Sequence, residues 1–307
     1  MRERIRFEGE LRDLELESTP FDPKIRWLQT ILNRAEGESL AKDGQSGKNT
    51  RDALLRFQNK YFLSQYPIKK QHDGSLTPET EIGLVQRALN FILDIVLTVT
   101  GLKDNSTVTA IKSFQKKYNE LNKQREPDGV IGPKSRAIMI LALNDVRIFN
   151  PITRTSGIRQ DQIRRNVDNP NVGQFGWVRT KNAQPKFHQG LDLLASVGTP
   201  VYGVKNGIVT YAADTRNDYG WVVIIDHLNG MTTHYAHLLA ESVVQKDANV
   251  KATMKIGQAG RTGNADEVPL AEEHVHFELR QDNEEVDPTN FLLSSSPPGH
   301  YAPYPTR

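Results

Sequence analysis

From residue 22 to 148, apolar side chains recur at three- and four-residue spacing in "WLQTILNRA", "RDALLRFQNKYF", "EIGLVQRALNFILDIV", "TVTAIKSFQKKYN" and "SRAIMILALN". That spacing lays the apolar positions along one stripe of a helix, so this half of the chain is expected to be helical. Between the stripes an Asp-Gly turn repeats: "DGQSGKNT" from Asp43, "DGSLTPET" from Asp73 and "DGVIGPKS" from Asp128. Glycine permits positive φ there, proline is tolerated at a helix start, and Thr or Ser can cap the helix that follows. "FQNKY" at Phe57 to Tyr61 recurs as "FQKKY" at Phe114 to Tyr118, so the unit of helix, turn and helix is itself repeated. The expected organisation is an extension at 1–21, then two three-helix units at 22–90 and 91–148.

Near residue 149 the periodicity is lost. "NPITRTSGIRQDQIRRNVDNPNVGQ" reads as a connection, 149–171, into a second domain at 172–293. Beyond it Val, Ile, Thr and Tyr dominate "TPVYGVKNGIVTYAA", "GWVVIIDHLNGMTTHYAHL" and "HVHFELR", and Asn206-Gly207 and Asn229-Gly230 read as hairpin turns. The second domain is expected to be mainly antiparallel β, and 294–307, rich in Pro and Ser, a loose tail. The fold class is therefore α+β and multidomain, helices first.

Composition narrows the chemistry more than the fold. With 39 basic and 37 acidic residues, a net charge of +2 gives no case for nucleic acid or a membrane surface as partner. The absence of cysteine excludes disulfides and thiolate metal sites, leaving His and carboxylate as the strong ligand types. "MRERIRFEGELRDLELES" has no apolar h-region and is not expected to act as a signal peptide, and no later stretch reaches transmembrane length.

Six of the eight histidines, His188, His227, His234, His237, His274 and His276, fall between residues 188 and 276. In "EEHVHFELR", His274 and His276 are two apart, which on a strand gives them one face about 6.6 Å apart along the backbone. In "FHQGLD", His188 and Asp192 would lie about 13 Å apart on an extended strand, but Gly190 between them can supply a bend. Two histidines and a carboxylate can form a catalytic zinc site with an open position. His72 and His300 read as ordinary histidines and His227 as part of a hairpin turn. His234 has the opposite strand parity to His237, so only one of them should face a groove.

Two resemblances follow from these motifs. Leu28-Gln29, Leu32-Asn33, Asp43-Gly44, Gly47, Thr50, Ala53 and Phe57-Gln58 resemble the peptidoglycan-binding helical module. Ala110, Phe114-Gln115, Asp128-Gly129 and Gly132 resemble it again, with Ser135 in place of Thr and a less clear first helix. "HQGLD" at His188, "YAHL" at Tyr235 and "HVHFE" at His274 appear in the order found in lysostaphin-type (LytM-like) zinc endopeptidases, a resemblance spanning roughly 172–292. It implies one zinc held by His188, Asp192 and His276, with His237 and His274 beside the open position as proton acceptor and oxyanion stabiliser, in either order. Glu278 is expected to support these residues. The loop "NADEVPLAEE", more acidic and longer than the family's usual turn, is expected at the rim of the groove.

The resemblances imply a monomeric peptidoglycan hydrolase that cuts peptide crosslinks, tethered to its polymer by the helical modules. They also leave room for an immunity or inhibitor protein as partner. The alternatives are a catalytically silent activator or binding protein on the same fold, and a zinc endopeptidase acting on a glycine-rich protein. The helical repeats alone fit equally well a bundle that binds nothing. Action in the periplasm or the extracellular wall would require export by lysis or a dedicated secretion system, or a leader carried on a precursor.

Overall fold

The computed structural model describes residues 21–62, 73–155 and 157–292; the extension, the tail, His72 and His300 lie outside the described residues. The first half holds five helices: α1 (Pro23–Glu36), α2 (Lys48–Phe62), α3 (Pro78–Leu93), α4 (Asn105–Lys117) and α5 (Pro133–Leu143). Proline opens α1, α3 and α5, where a backbone N–H would lack an intrahelical partner in any case. Asp22, Thr77 and Asp104 cap α1, α3 and α4 through side-chain oxygens.

One device fastens each turn. A buried glutamine accepts a glycine N–H with Oε1 and donates from Nε2 to the carbonyl one residue later. Gln29 does this to Gly44 and Gln45, Gln58 to Gly74 and Ser75, Gln86 to Gly101 and Leu102, and Gln115 to Gly129 and Val130. The third instance is hidden in the sequence because Thr100-Gly101 stands where the others have Asp-Gly. Likewise Asn33 brackets the Leu40 backbone and Asn90 the Leu97 backbone. Hence α3 repeats α1, and it both closes the first unit and opens the second. Five helices serve where two separate units would need six.

The second half is built from β1 (Gly176–Lys181), β2 (Gln184–His188), β3 (Leu191–Leu194), β4 (Pro200–Tyr202), β5 (Gly207–Asp214), β6 (Trp221–Asp226), β7 (Met231–Ala236), β8 (Asn249–Val250), β9 (Lys255–Gln258), β10 (His274–Gln281) and β11 (Glu284–Val286). The main sheet runs β11-β10-β7-β6-β5-β8, all antiparallel, with β3 pairing the first half of β10. Asn229-Gly230 makes the expected β6–β7 hairpin. Asn206-Gly207 does not make one, because β4 pairs with β9 rather than with β5. Along β10, Val275, Phe277 and Leu279 enter the core while His274, His276 and Glu278 take the other face.

The two halves share one buried apolar cluster. Tyr118 stacks on Phe291, Asn119 donates to Asp287 (2.8 Å), Arg26 pairs with Asp282, and the Lys134 ammonium lies 4.4 Å from the Phe187 ring. The helices therefore brace the β1–β2 and β10–β11 hairpins, whose strands end in or carry His188 and His276.

Candidate metal and catalytic site

His188 is the last residue of β2, and β3 begins three residues later. The bend between them passes so close to β10 that a Cβ on Gly190 would collide with the Phe277 carbonyl. The bend sets Asp192 in register with His276 across the β3–β10 pair. His188 Nε2, Asp192 Oδ1 and His276 Nδ1 then form a triangle with edges of 2.9 to 3.0 Å. All three residues are buried.

The outer partners fix which atoms face inward. A carbonyl can only accept, so His188 carries its proton on Nδ1, donated to Gln174 O (2.6 Å), and Nε2 is left with a lone pair. His276 donates from Nε2 to Glu278 Oε1 (2.9 Å), which leaves the Nδ1 lone pair toward the triangle. Glu278 is itself held by Tyr219 and Arg280, and burial against it is outweighed by His276 and Arg280, giving it a pKa of about 2. Burial also opposes the charge of Asp192, but His188, His274 and Arg179 hold its pKa well below the usual carboxylate range.

Three lone-pair atoms 3 Å apart repel one another unless a cation or proton lies among them. Burial alone would lower the His276 pKa, yet Asp192 and Glu278 raise it to about 9. A tetrahedral zinc with bonds of about 2.0–2.1 Å needs ligand atoms about 3.3 Å apart, so a few tenths of an ångström of relaxation would admit the ion. The His2Asp donor set, neutral imidazoles plus one carboxylate, fits zinc in chemistry as well as in size.

The other two candidate histidines stand alongside. The His274 ring centre is 5.0 Å from that of His237, and the His237 and His276 rings are 6.1 Å apart. His274 donates from Nδ1 to Glu272 O (2.8 Å) and His237 from Nδ1 to Thr262 O (2.9 Å), so both keep an unprotonated Nε2. Burial lowers both pKa values, and for His237 the neighbouring His274 and His276 help bring it to about 3. Both rings are therefore neutral near pH 7, each with a lone pair on Nε2.

His237 reaches the site by a route that strand parity misses. It lies one residue past β7 with φ of +62°, which swings its side chain out of the alternation. His234 shares a face with Glu278, 3.6 Å away, behind the site. His227 is a buried structural residue between Asn206 O and Thr233.

All five residues line a cleft of about 830 Å³. Asn264, Glu267, Val268, Pro269 and Glu272 of the acidic loop form part of its wall, as expected for a rim, and Arg261 pins that loop through the Asp266 and Val268 carbonyls. Arg164, Arg179 and Gln174, none of them singled out in the sequence, also contact the candidate residues. Their motif signal is slight, since Gln174 acts through its backbone.

Residues 186–288 match the model of "Peptidase family M23", and residues 22–65 match that of "Putative peptidoglycan binding domain". The chain is 36% identical over 108 residues to the DD-carboxypeptidase/endopeptidase Mpg of Neisseria meningitidis, covering 35% of this chain and 23% of Mpg. It is 30% identical over 115 residues to the murein hydrolase activator NlpD of Escherichia coli, covering 38% of this chain and 28% of NlpD. The match thus spans about a quarter of the length of either relative. Among solved structures, a zinc-containing peptidase from Vibrio cholerae aligns with 28% identity and a TM-score of 0.35, over 46% of this chain and 39% of that one.

Proposed function

We propose that this chain, which carries a peptidase family M23 domain behind a peptidoglycan-binding domain, is a zinc-dependent endopeptidase that cleaves peptide crosslinks of peptidoglycan. The observation that carries the reading is the buried triangle of His188 Nε2, Asp192 Oδ1 and His276 Nδ1, open to a cleft with two further neutral histidines on its wall. In this reading those three residues hold zinc. When bound, zinc would acidify a water and polarise the scissile carbonyl. His237 and His274 each present an unprotonated Nε2, so either can be the base; the one that takes up the water proton then carries the Nε2–H that can donate to the oxygen on which negative charge develops. Glu278 keeps His276 in the tautomer that presents Nδ1.

The substrate assignment rests on the company the peptidase domain keeps. A wall-binding domain on the same chain raises the local concentration of the polymer, and of the relatives matched one is named a DD-carboxypeptidase/endopeptidase and another a murein hydrolase activator. By the same logic the site of action is the cell wall or periplasm. Similarity to a murein hydrolase activator also supports a second reading, a silent stimulator of another hydrolase. A silent copy has no need to retain His237 and His274, and both are present and oriented.

Metal analysis of variants separates binding from chemistry. Wild type should carry about one zinc and His276→Ala almost none. His237→Ala should keep its zinc while turnover of crosslinked muropeptides falls by at least about 100-fold. Full turnover by His237→Ala, or zinc-free wild type with full activity, would refute these roles.

A further inference from the structure

Asp192 divides its two oxygens between different duties. Oδ1 faces His188 and His276, while Oδ2 faces Arg179, Arg164 (3.4 Å) and His274 (3.5 Å). Neither arginine lies within residues 186–288. Arg164 belongs to the stretch read from sequence as a connection, yet its backbone is laced to that of Asp192. Arg164 N donates to Asp192 O (2.8 Å), Gly173 N donates to Arg164 O (3.0 Å), and Asp192 N donates to Gly173 O (2.8 Å). Ile163 bridges Leu193 alongside.

The guanidinium of Arg164 does more than anchor the connection, which those backbone bonds already do. It is only 13% exposed, and besides Asp192 it meets the Glu272 carboxylate at 3.0 and 2.9 Å. The backbone carbonyl of Glu272 in turn holds His274 Nδ1–H. One side chain therefore touches a candidate metal ligand and, through Glu272, the segment that orients a candidate catalytic histidine. We propose that Arg164 is a positioning residue: it holds Asp192 Oδ2 so that Oδ1 stays aimed at the metal, and it couples that ligand to His274 through Glu272. The inference rests on the zinc reading of the site.

The sign of its effect follows from the charges around it. An unpaired arginine beside a dication would weaken metal binding by repulsion. Glu272 offsets the Arg164 charge at 2.9 Å, so what Arg164 contributes is mainly the directed contact to Asp192. Arg179 has Asp192 as its carboxylate partner, so for it repulsion and positioning oppose each other. Removing Arg164 should therefore loosen the metal. Glu272→Gln should loosen it too, because the arginine is then left uncompensated.

The test uses the full chain with Arg164→Gln, Arg164→Lys and Glu272→Gln. Three properties are measured: zinc affinity by competition with a chromophoric chelator, the visible spectrum of the cobalt-substituted protein, and melting of the metal-free protein. Arg164→Gln should weaken zinc about 10- to 100-fold and alter the cobalt bands, with metal-free melting close to wild type. Arg164→Lys, which keeps the charge, should recover part of the loss and serves as the readout if Arg164→Gln does not fold. Unchanged zinc affinity and cobalt bands would overturn the proposal. So would a loss of affinity matched by an equal loss of metal-free stability, which would make Arg164 an anchor only. A wild-type protein that takes up no zinc refutes the zinc reading itself, and this inference with it.

Discussion

At the scale of single residues, the site depends on which nitrogen of each histidine carries its proton. Four imidazoles face the cleft, and each is fixed by an acceptor behind it: Gln174 O, Thr262 O, Glu272 O and the Glu278 carboxylate. Three are backbone carbonyls, beyond the reach of substitution, and Glu278 alone among them can be changed by mutation. Replacing it by Gln keeps the shape but gives up the charge that pairs with His276. Glu278→Gln is expected to weaken zinc about 10- to 100-fold, as loss of such a carboxylate partner does elsewhere. Equilibrium dialysis against a zinc buffer reads it, and an unchanged affinity would show that Glu278 serves Arg280 and Tyr219 instead. The candidate residues were legible from sequence because the chemistry requires particular side chains at short spacings. Their supports were not. Gln174 and Thr262 act through carbonyls that any residue could supply, and Arg164 acts from 28 residues away, a distance closed only by the pairing of its backbone with that of Asp192.

At the scale of elements, the helical repeat shows what a pattern can and cannot reveal. Three glutamine-fastened turns carry Asp-Gly; the one between α3 and α4, at Thr100-Gly101, uses the same bonds without the aspartate. A one-residue change in the signature thus concealed that α3 repeats α1. The β half departs from its sequence pattern in one place for a related reason, since Asn206-Gly207 has the composition of a hairpin turn while its preceding strand pairs elsewhere. The Asp128-Gly129 turn also carries a titratable group. Ser135 stands where Thr occupies earlier turns, and its hydroxyl lies 2.7 and 2.8 Å from the two oxygens of Glu120. Burial raises the Glu120 pKa from 4.5 to about 7, more than the Ser135 bond lowers it. A carboxyl with a raised folded-state pKa stabilises the fold when protonated. That contribution is complete below the unfolded value near 4.5 and is lost as pH rises through about 7. The loss should amount to about 1–3 kcal/mol, discounted for partial exposure. Urea titrations at pH 4.5 and 8 should show it in wild type and not in Glu120→Gln; equal pH dependence in both would assign the effect to other groups.

At the scale of the whole molecule, the two halves are joined by a shared core. Tyr118 on Phe291, Lys134 on Phe187 and Asn119 on Asp287 place the helices behind the hairpins that frame the cleft. A wall-binding domain seated there would hold the cleft at a fixed offset from whatever polymer it grips, which favours repeated cutting over chance encounter. That geometry has its use only if the cleft cuts. The deciding measurement is mass spectrometry of crosslinked muropeptides incubated with the zinc-loaded chain and with the same chain stripped of metal. Conversion of dimers to monomers by the zinc form alone is the expected result, and the product masses will identify the bond. Dimers left intact by the zinc-loaded chain, together with faster cutting by an added second hydrolase, would contradict the endopeptidase reading and make the chain an activator.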